Sequence, residues 1–231
     1  MARNPTFFPH RGLWFRNCLG LDAPDRNYHV LDVADKTANG NNLTNNATVG
    51  EETTSLPFAA TTIAADFGAS NTDKYLSRAA NLGLNGNADA SFEIWIKLST
   101  EIASGYYTFW DHDSTGGADR YLSLAYNYNA GTRRLEIDAA GTLTTYNVTL
   151  GTTDWNHIAV TRNVSGNAAI LYFNGTNVAS GTIGTTGNAA NRFSLGAHPN
   201  PTNFTSADID EGRVWNDVRT ATEISDNRSI E

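Results

Sequence analysis

The amino-acid sequence predicts an all-β protein, a sandwich or barrel of antiparallel strands, from three observations. The polar residues of the 231-residue chain are dominated by Asn, Thr, Ser and Gly, with 20 Gly and only 17% charged residues. That composition is typical of short strands joined by many turns and is unlike that of a helical protein. Short apolar runs follow one another between turn residues, several of them alternate with period two, and no helical pattern separates them.

The N-terminal segment, residues 1–28, lacks clear alternation. Its aromatic candidates for contact with a partner are Phe7, Phe8, Trp14 and Phe15. Two interpretations stay open: an edge strand with a loop packed on the domain, or an arm whose aromatic side chains anchor a partner protein. No linker divides the remaining residues 29–231, so we expect them to form one sandwich domain.

The strongest strand signal lies at residues 91–98. One face carries Phe92, Ile94, Ile96 and Leu98, and the other carries Glu93, Trp95 and Lys97. This period of two predicts a strand with one buried face. The Trp on the second face indicates that this face is only partly wet.

Further strands are predicted at residues 106–110, 121–126, 134–138, 142–150, 157–161, 168–173, 177–182, 192–195 and 209–215. Between two of them, Asn174-Gly175 indicates a two-residue hairpin turn, which needs positive φ at both positions. Only residues 220–227 resemble a helix, of one or two turns, with Thr222 as the candidate capping residue.

Charge and composition exclude several classes of function. The chain has 16 Lys and Arg against 24 Asp and Glu, a formal charge of −8, which argues against sequence-independent nucleic-acid binding. A single cysteine, Cys18, excludes an intramolecular disulfide framework and a cysteine-based zinc cluster. No window approaches the roughly 18 apolar residues of a membrane span, and the first residues lack the apolar run of a signal peptide. We therefore expect synthesis in a cytosol and no membrane partner.

Six segments from residue 30 onward resemble, in order, the motifs of one domain family. They are residues 31–44 (LDVADKTANGNNLT), 64–67 with 75–77 (AADF and YLS), 91–98 (SFEIWIKL), 154–162 (DWNHIAVTR), 170–175 (ILYFNG) and 209–216 (IDEGRVWN). The chain thereby resembles laminin G-like domains of the concanavalin A-like lectin/glucanase superfamily, over about residues 30–227. The resemblance implies a jelly-roll sandwich of two antiparallel sheets, one convex and one concave, in which Trp95, Trp155 and Trp215 are mostly structural.

The same superfamily contains glucanases, whose paired carboxylates follow the pattern Glu-x-Asp-x-(x)-Glu. The nearest match begins at Glu136 and Asp138 but has Ala140 where the second Glu would stand. Residues 208–212 also fail, because they end in Gly. A retaining glycosidase needs two carboxylates on one face, and no Gly-x-Ser-x-Gly motif or metal-spaced His pair is present. We therefore predict that the protein is not an enzyme, with a glycoside hydrolase as the disfavoured alternative.

Calcium is the cofactor that the resemblance implies. Many members of the superfamily hold one ion on the convex side. The matching Asp here is Asp210, and Asp35 with either Asn39 or Gly40 could supply the other side. The alternative is that Asp210 only caps a turn or pairs with an Arg such as Arg213. Carboxylates and carbonyls are the ligands that calcium prefers.

A second metal candidate is the acidic stretch that contains Asp111, Asp113 and Asp119. It begins like an EF-hand loop but lacks the third acidic position and the terminal Glu. An ordinary hydrated hairpin loop is the alternative to a metal site.

Aromatic and polar residues around this acidic stretch are candidates for sugar binding. A sugar site needs an aromatic platform beside amide, carboxylate or guanidinium groups. The residues that we single out are Tyr107, Trp110, Tyr128 and Arg120. Strand alternation places about half of the local aromatic residues in the core, so plain packing is the alternative for each of them.

The sequence supports three functional hypotheses. Residues 113–122 (DSTGGADRYL) resemble a loop of laminin G-like domains on bacteriophage heads and tails, apart from one extra residue. We accordingly expect a non-catalytic virion surface protein, a capsid decoration or a tail or fibre head, made in the host cytoplasm and adhering to host-surface glycans. Its partners would be other virion subunits, in a homo-oligomer that is a trimer by analogy. A free-standing carbohydrate-binding module is the alternative, and the hydrolase is the third.

Overall fold

The computed structural model describes residues 41–58, 63–68, 73–80, 82, 84, 88–113, 120–184, 192–198 and 201–228, together with the backbone of 12–15. Its strands, numbered in chain order, are β1 (Gly12–Phe15), β2 (Thr44–Asn46), β3 (Gly50–Glu52), β4 (Ala64–Asp66), β5 (Tyr75–Arg78), β6 (Ala90–Leu98), β7 (Gly105–Asp113), β8 (Leu122–Asn129), β9 (Thr132–Ala139), β10 (Thr142–Asn147), β11 (Asn156–Asn163), β12 (Ala168–Phe173), β13 (Thr176–Gly181), β14 (Arg192–Leu195) and β15 (Ala207–Trp215). One helix, α1 (Ala221–Asn227), follows them. No helix among these residues is long and apolar enough to cross a membrane.

The strands form two antiparallel sheets. The first has the order β13-β12-β11-β6-β15-β4-β3, with β1 also paired to β15, and the second has the order β10-β9-β8-β7-β14-β5-β2. Every pair is antiparallel, and sequence neighbours such as β8 and β9 are joined as hairpins. Asn174 and Gly175 have φ of 51° and 83° in the β12–β13 turn, which confirms the predicted hairpin. The all-β sandwich predicted from the sequence is confirmed.

The core lies between the two sheets. Phe92, Ile94, Ile96 and Leu98 of β6 are each at most 2% exposed, so the predicted inner face is confirmed. They belong to one cluster with buried residues of the second sheet such as Leu124 and Ile137. Burial of each large apolar side chain contributes about 1.5–3 kcal/mol.

The opposite face of β6 is more covered than the sequence suggests. Glu93 and Lys97 are 3% and 7% exposed, where we expected a partly wet face. Segment 53–58 and the end of α1 cover this face: Trp155 Nε1 donates to the Ser55 carbonyl at 3.0 Å, and Trp95 Nε1 donates to the Arg228 carbonyl at 2.8 Å. The two indole N–H groups therefore tie the covering segments to the sheet.

Buried charges on this face are paired. The Glu93 carboxylate accepts from Arg213 Nη1 at 2.9 Å and lies 3.1 Å from His157 Nε2. Arg213 also donates to Glu211 at 2.7 Å. Because breaking a buried pair leaves an uncompensated charge, this cluster holds the β6, β11 and β15 strands in one arrangement.

Helix α1 is capped by Thr220, so the prediction of Thr222 as the cap is wrong. The Thr220 backbone is extended, its hydroxyl accepts from Glu223 N, and the Glu223 side chain accepts from Thr220 N in return. This reciprocal pair requires a Glu three residues after the cap, which Thr220 has and Thr222 lacks.

The N-terminal segment contributes strand β1 to the first sheet. Its register pairs Gly12 with Trp215 and Phe15 with Gly212. The backbone pairing corresponds to the edge-strand interpretation for these four residues. Phe7 and Phe8 lie outside the described residues, as do the side chains of Trp14 and Phe15, and their anchoring role stays a prediction.

Candidate functional site

Strand β7 contains a β-bulge that determines which side chains reach the surface. Its pairing with β8 shifts between Thr108 and Trp110, so Phe109 is the extra residue. Phe109 and Trp110 are both buried, at 0% and 1% exposure, although neighbours in a regular strand point to opposite faces. The bulge thus exchanges the two faces of the strand beyond this point.

Trp110 is a core residue, and our prediction that it forms a ligand platform is wrong. Its ring stacks on that of Phe92 at a centroid distance of 5.7 Å and an interplanar angle of 14°. Without the bulge, alternation from the outward-facing Tyr106 would have placed Trp110 outward.

Tyr107 and Tyr128 also lie on the interior side of their sheet, packed against the core. Burial raises the pKa of the Tyr107 phenol, and the Ser206 side chain hydrogen-bonds to it. The Tyr128 ring lies under the Arg133 guanidinium at 4.7 Å. Neither ring is placed as an open platform on the outer face, which corrects that part of the prediction.

A groove of about 220 Å³ lies on the outer face of the second sheet, across β7 to β10. It is lined by Tyr106, Thr108, Asp111, Arg120, Ser123, Ala125, Glu136, Asp138, Leu143, His198 and Asn203. The strand residues among them alternate with core residues such as Leu124 and Ile137, so they form the opposite surface of the same strands. Of the predicted sugar-binding residues, Arg120 lies in this groove.

The strand register places Tyr106 and Leu143 at diagonally opposite ends of the groove. Tyr106 pairs with Asn127, whereas Leu143 shares a row with Asp138, Ser123 and Asp111. The two strands that carry them are three strand spacings apart, about 14 Å, and the two rows are about 13 Å apart along β8. The groove is therefore long enough for an extended ligand.

Tyr106 and Leu143 are the large hydrophobic side chains that stand exposed in the described part of the chain, at 44% and 54%. Both line the groove. The sequence analysis did not single out Tyr106, because the position of the bulge was not apparent.

The groove floor carries carboxylates in defined hydrogen bonds. Glu136 Oε1 accepts from Asn127 Nδ2 at 2.8 Å and from Arg134 Nε at 2.5 Å. Asp138 Oδ2 accepts from Arg120 Nη1 at 2.8 Å, and its other oxygen accepts from the Gly141 backbone. These contacts hold the acceptor oxygens in place, as a site for directional hydrogen bonding requires.

Asp111 is the deepest carboxyl group of the groove, at 1% exposure. Burial raises its pKa well above the usual value, against the opposing effect of the Arg120 guanidinium. Arg120 Nε lies 3.3 Å from Asp111 Oδ2, so one guanidinium contacts the carboxylates of both Asp111 and Asp138.

Asp111, Asp113 and His198 converge beside the groove, with one potential ligand atom from each within 4.8 Å of the others. His198 is a residue that the sequence analysis missed, since it lies on the loop after β14, far along the chain. The imidazole nitrogen and the nearby Arg120 guanidinium make this set a poor match for calcium, which prefers oxygen ligands. Asp119, the third residue of the predicted loop site, lies outside the described residues, so that site stays a prediction.

Asp210, the predicted calcium ligand of the convex side, lies in the first sheet, away from the groove. It is 3% exposed, and its Oδ1 accepts from the backbone of Glu211 at 2.8 Å. Glu211 has a φ of 48° at an irregularity in the pairing of β15 with β6. Asp35 and Asn39 lie outside the described residues.

Comparisons with known proteins agree on the fold. The family model of the concanavalin A-like lectin/glucanases superfamily, a laminin G model, matches residues 69–225. A search of curated protein sequences found no match.

Solved structures with the same fold include several binding domains. Domain 4 of a GH43 extracellular arabinanase from Geobacillus stearothermophilus, in complex with arabinotriose, is 20% identical, with a TM-score of 0.60 over 84% of this chain and 92% of that chain. The binding domain of botulinum neurotoxin DC, in complex with rat synaptotagmin II, is 13% identical, with a TM-score of 0.65 over 92% of this chain. A heptameric pentraxin from Limulus polyphemus is 13% identical, with a TM-score of 0.56 over 71% of this chain and 80% of that chain. This chain spans 49% of the neurotoxin chain.

Proposed function

The chain belongs to the concanavalin A-like lectin/glucanases superfamily, and on this basis we propose that it is a non-catalytic glycan-binding protein whose sugar site is the groove on the outer face of the second sheet. The observation that carries the proposal is the position of Tyr106 and Leu143. These exposed apolar side chains stand at opposite ends of a floor of hydrogen-bonding groups.

The chemistry of the groove suits a sugar. A pyranose has an apolar face of C–H groups and a rim of hydroxyls, so it needs one flat apolar contact and several directional polar ones. The Tyr106 ring offers the first, and the carboxylates of Glu136 and Asp138 accept hydrogen bonds from hydroxyls. Ser123 and Asn203 add neutral donors and acceptors at the same surface.

Proteins of the same fold support this assignment. The arabinanase domain is in complex with arabinotriose. A binding domain of botulinum neurotoxin DC is in complex with SialylT, and the cell entry of neurotoxin type C depends on two ganglioside molecules. The arabinanase domain is thus a domain of this fold in complex with a sugar, whereas this chain spans 47% and 49% of the two neurotoxin chains.

The test is a glycan array followed by calorimetry on the strongest hit. We expect Tyr106→Ala to weaken binding about tenfold, equivalent to about 1.4 kcal/mol, because the aromatic contact is lost. The matched control is Tyr107→Phe, the adjacent residue on the interior side, which should leave the affinity unchanged. A blank array, or an affinity that is indifferent to Tyr106→Ala, would overturn the proposal.

We also propose that a calcium ion binds on the convex side. Among the residues that the structure describes, Asp210 is the proposed ligand. The support is the resemblance to superfamily members, which places Asp210 at the position of a calcium ligand, and calcium prefers carboxylate oxygens. We expect calcium at about 100 times its dissociation constant to stabilise the fold by about 2.7 kcal/mol, and EDTA to reverse the resulting rise in melting temperature. Asp210→Asn should abolish the effect of EDTA. A melting temperature that calcium and EDTA leave unchanged contradicts this proposal.

We further propose that the module stands on a virion surface as part of a homo-oligomer. The support is the resemblance of residues 113–122 to a loop of phage laminin G-like domains, and the aromatic residues Phe7 and Phe8 ahead of β1. In this arrangement β1 fixes the N-terminal segment to the sandwich by its pairing with β15, and the residues before it contact the partner.

A further inference from the structure

The groove on the second sheet is an acidic surface. Three of its described lining residues, Asp111, Glu136 and Asp138, carry carboxyl groups. Arg120 is the lining residue with a permanent positive charge. The balance of charge at this surface is therefore negative, in agreement with the formal charge of −8 for the chain.

The guanidinium of Arg120 is already engaged with the protein. It contacts the carboxylates of Asp138 and Asp111 at 2.8 and 3.3 Å. Although burial opposes the charge, Asp111 and Asp138 raise the pKa of Arg120. An anionic ligand would have to compete with two carboxylates for this cation.

The neighbouring guanidinium of Arg134 is also already engaged with a carboxylate of the protein. Its Nε lies 2.5 Å from Glu136 Oε1. The side chain of Arg134 is 29% exposed and that of Glu136 is 5% exposed, so this guanidinium at the surface is already bound to a carboxylate of the groove floor. The positive charges near the floor thus neutralise the floor's own carboxylates and leave little for a ligand.

The carboxylates of Glu136 and Asp138 are each paired with a guanidinium, that of Arg134 and that of Arg120 respectively. An anionic ligand at these positions would therefore have to displace a carboxylate of the protein from its partner before it gained a cation of its own.

From this arrangement we infer that the groove selects uncharged glycans and discriminates against sialylated, uronate-bearing or sulfated ones. The inference rests on the proposed sugar-binding function and names its ligand class. Neutral hydroxyls donate to the floor carboxylates, whereas an anionic substituent would be brought against like charges in a partly desolvated site.

The experiment compares matched ligands by calorimetry: lactose with sialyllactose and with sulfated lactose, and cellotriose and arabinotriose with oligouronates of equal length. We expect at least one neutral sugar to bind about tenfold or more tightly than its acidic counterpart at low salt. Added salt should lower this ratio of affinities, because screening weakens the repulsion of the acidic ligand.

Two variants localise the effect. Glu136→Gln keeps the size and a hydrogen-bonding oxygen of the side chain but removes its charge. It should therefore lower the ratio of the affinity for the neutral sugar to the affinity for its acidic counterpart. Glu101→Gln removes an exposed carboxylate that pairs with Arg133 and does not line the groove, so it should leave the ratio unchanged. The salt dependence of the unmodified protein provides the same test without any change to the fold.

The outcomes separate the two claims. Acidic sugars that bind as tightly as neutral ones, or more tightly, overturn the inference and leave the proposed function intact. Binding of neither class overturns both.

Discussion

The environment of His112 differs strongly from that of an imidazole at the surface. It is 0% exposed and lies among aromatic rings, 5.2 Å from Tyr121 and 6.3 Å from Phe193 between centroids. Burial, reinforced by the charge of Arg162, lowers its pKa to about 3. The β7 bulge places this imidazole in the core and Asp111 in the groove, so one irregularity determines the environment of both residues.

The low pKa of His112 makes stability depend on pH. Between about pH 6.5 and 3 the unfolded chain binds a proton that the folded protein does not, so the free energy of unfolding falls as the pH drops through this range. His112→Leu removes this contribution. Between pH 6.5 and 4.5 we expect the unmodified protein to lose about 2–3 kcal/mol more stability than the variant, as measured by urea unfolding.

His198→Asn is the control for this comparison, since the His198 side chain is 15% exposed and lies outside the core. It should leave the acid sensitivity that belongs to His112 in place. Parallel losses of stability in the unmodified protein and in His112→Leu would show that His112 does not contribute.

Helix α1 is short, and it contributes to the fold by covering part of the outer face of the first sheet. Ile224 is 2% exposed and packs on Ala159 and Tyr172 of the first sheet. The carbonyl of Arg228, just after the helix, accepts from Trp95. The helix therefore covers the outer face of one sheet, while the groove occupies the outer face of the other.

The assignment of Thr220 as the cap of α1 can be tested by substitution. Thr220→Ala removes the hydroxyl that accepts from Glu223 N, and we expect it to lower the free energy of unfolding by about 1 kcal/mol. Thr222→Ala is the matched control, because Thr222 is exposed within the helix and should change stability little. Equal effects of the two substitutions would contradict the assignment of the cap. Glycan affinity should not change in either variant, because α1 and the groove lie on different sheets.

The outer faces of the two sheets differ, because one is covered by other segments and the other is open. The outer face of the first sheet is covered by segment 53–58 and α1 and contains paired buried charges. The outer face of the second sheet carries the open groove. Strand β1 pairs with β15 and so belongs to the first sheet, whereas the proposed sugar site lies on the second sheet.

Removal of residues 1–11 tests the role of the N-terminal segment, because it keeps β1 in place. If the aromatic residues ahead of β1 hold an oligomer together, the full chain should have the mass of a trimer by light scattering and the truncated chain that of a monomer. The melting temperature should change little. Phe7→Ala combined with Phe8→Ala should reproduce the truncation, whereas Thr6→Ala should not. A truncated chain that keeps the oligomeric mass contradicts the anchoring role.

Much of the fold was predictable from local patterns. The alternation of apolar residues in β6 and the Asn174-Gly175 turn depend on neighbouring residues alone, and both were confirmed. The site was predictable only in part. Arg120, one of the predicted sugar-binding residues, lines the groove, whereas Trp110 lies in the core and His198 was missed.

The amino-acid sequence by itself determined that this chain is an antiparallel all-β protein, because a period of two commits a strand to one buried face. Its resemblance to laminin G-like domains implied the sandwich of two sheets. The tertiary structure alone decided which face of β7 is buried. The extra residue Phe109 shifts the register by one, and the shift is favoured because it buries Trp110 and leaves Asp111 at the groove. The tertiary structure also brings His198 to Asp111 and Asp113 through the pairing of β14 with β7. This is a contact between residues far apart in the chain, which no local pattern encodes.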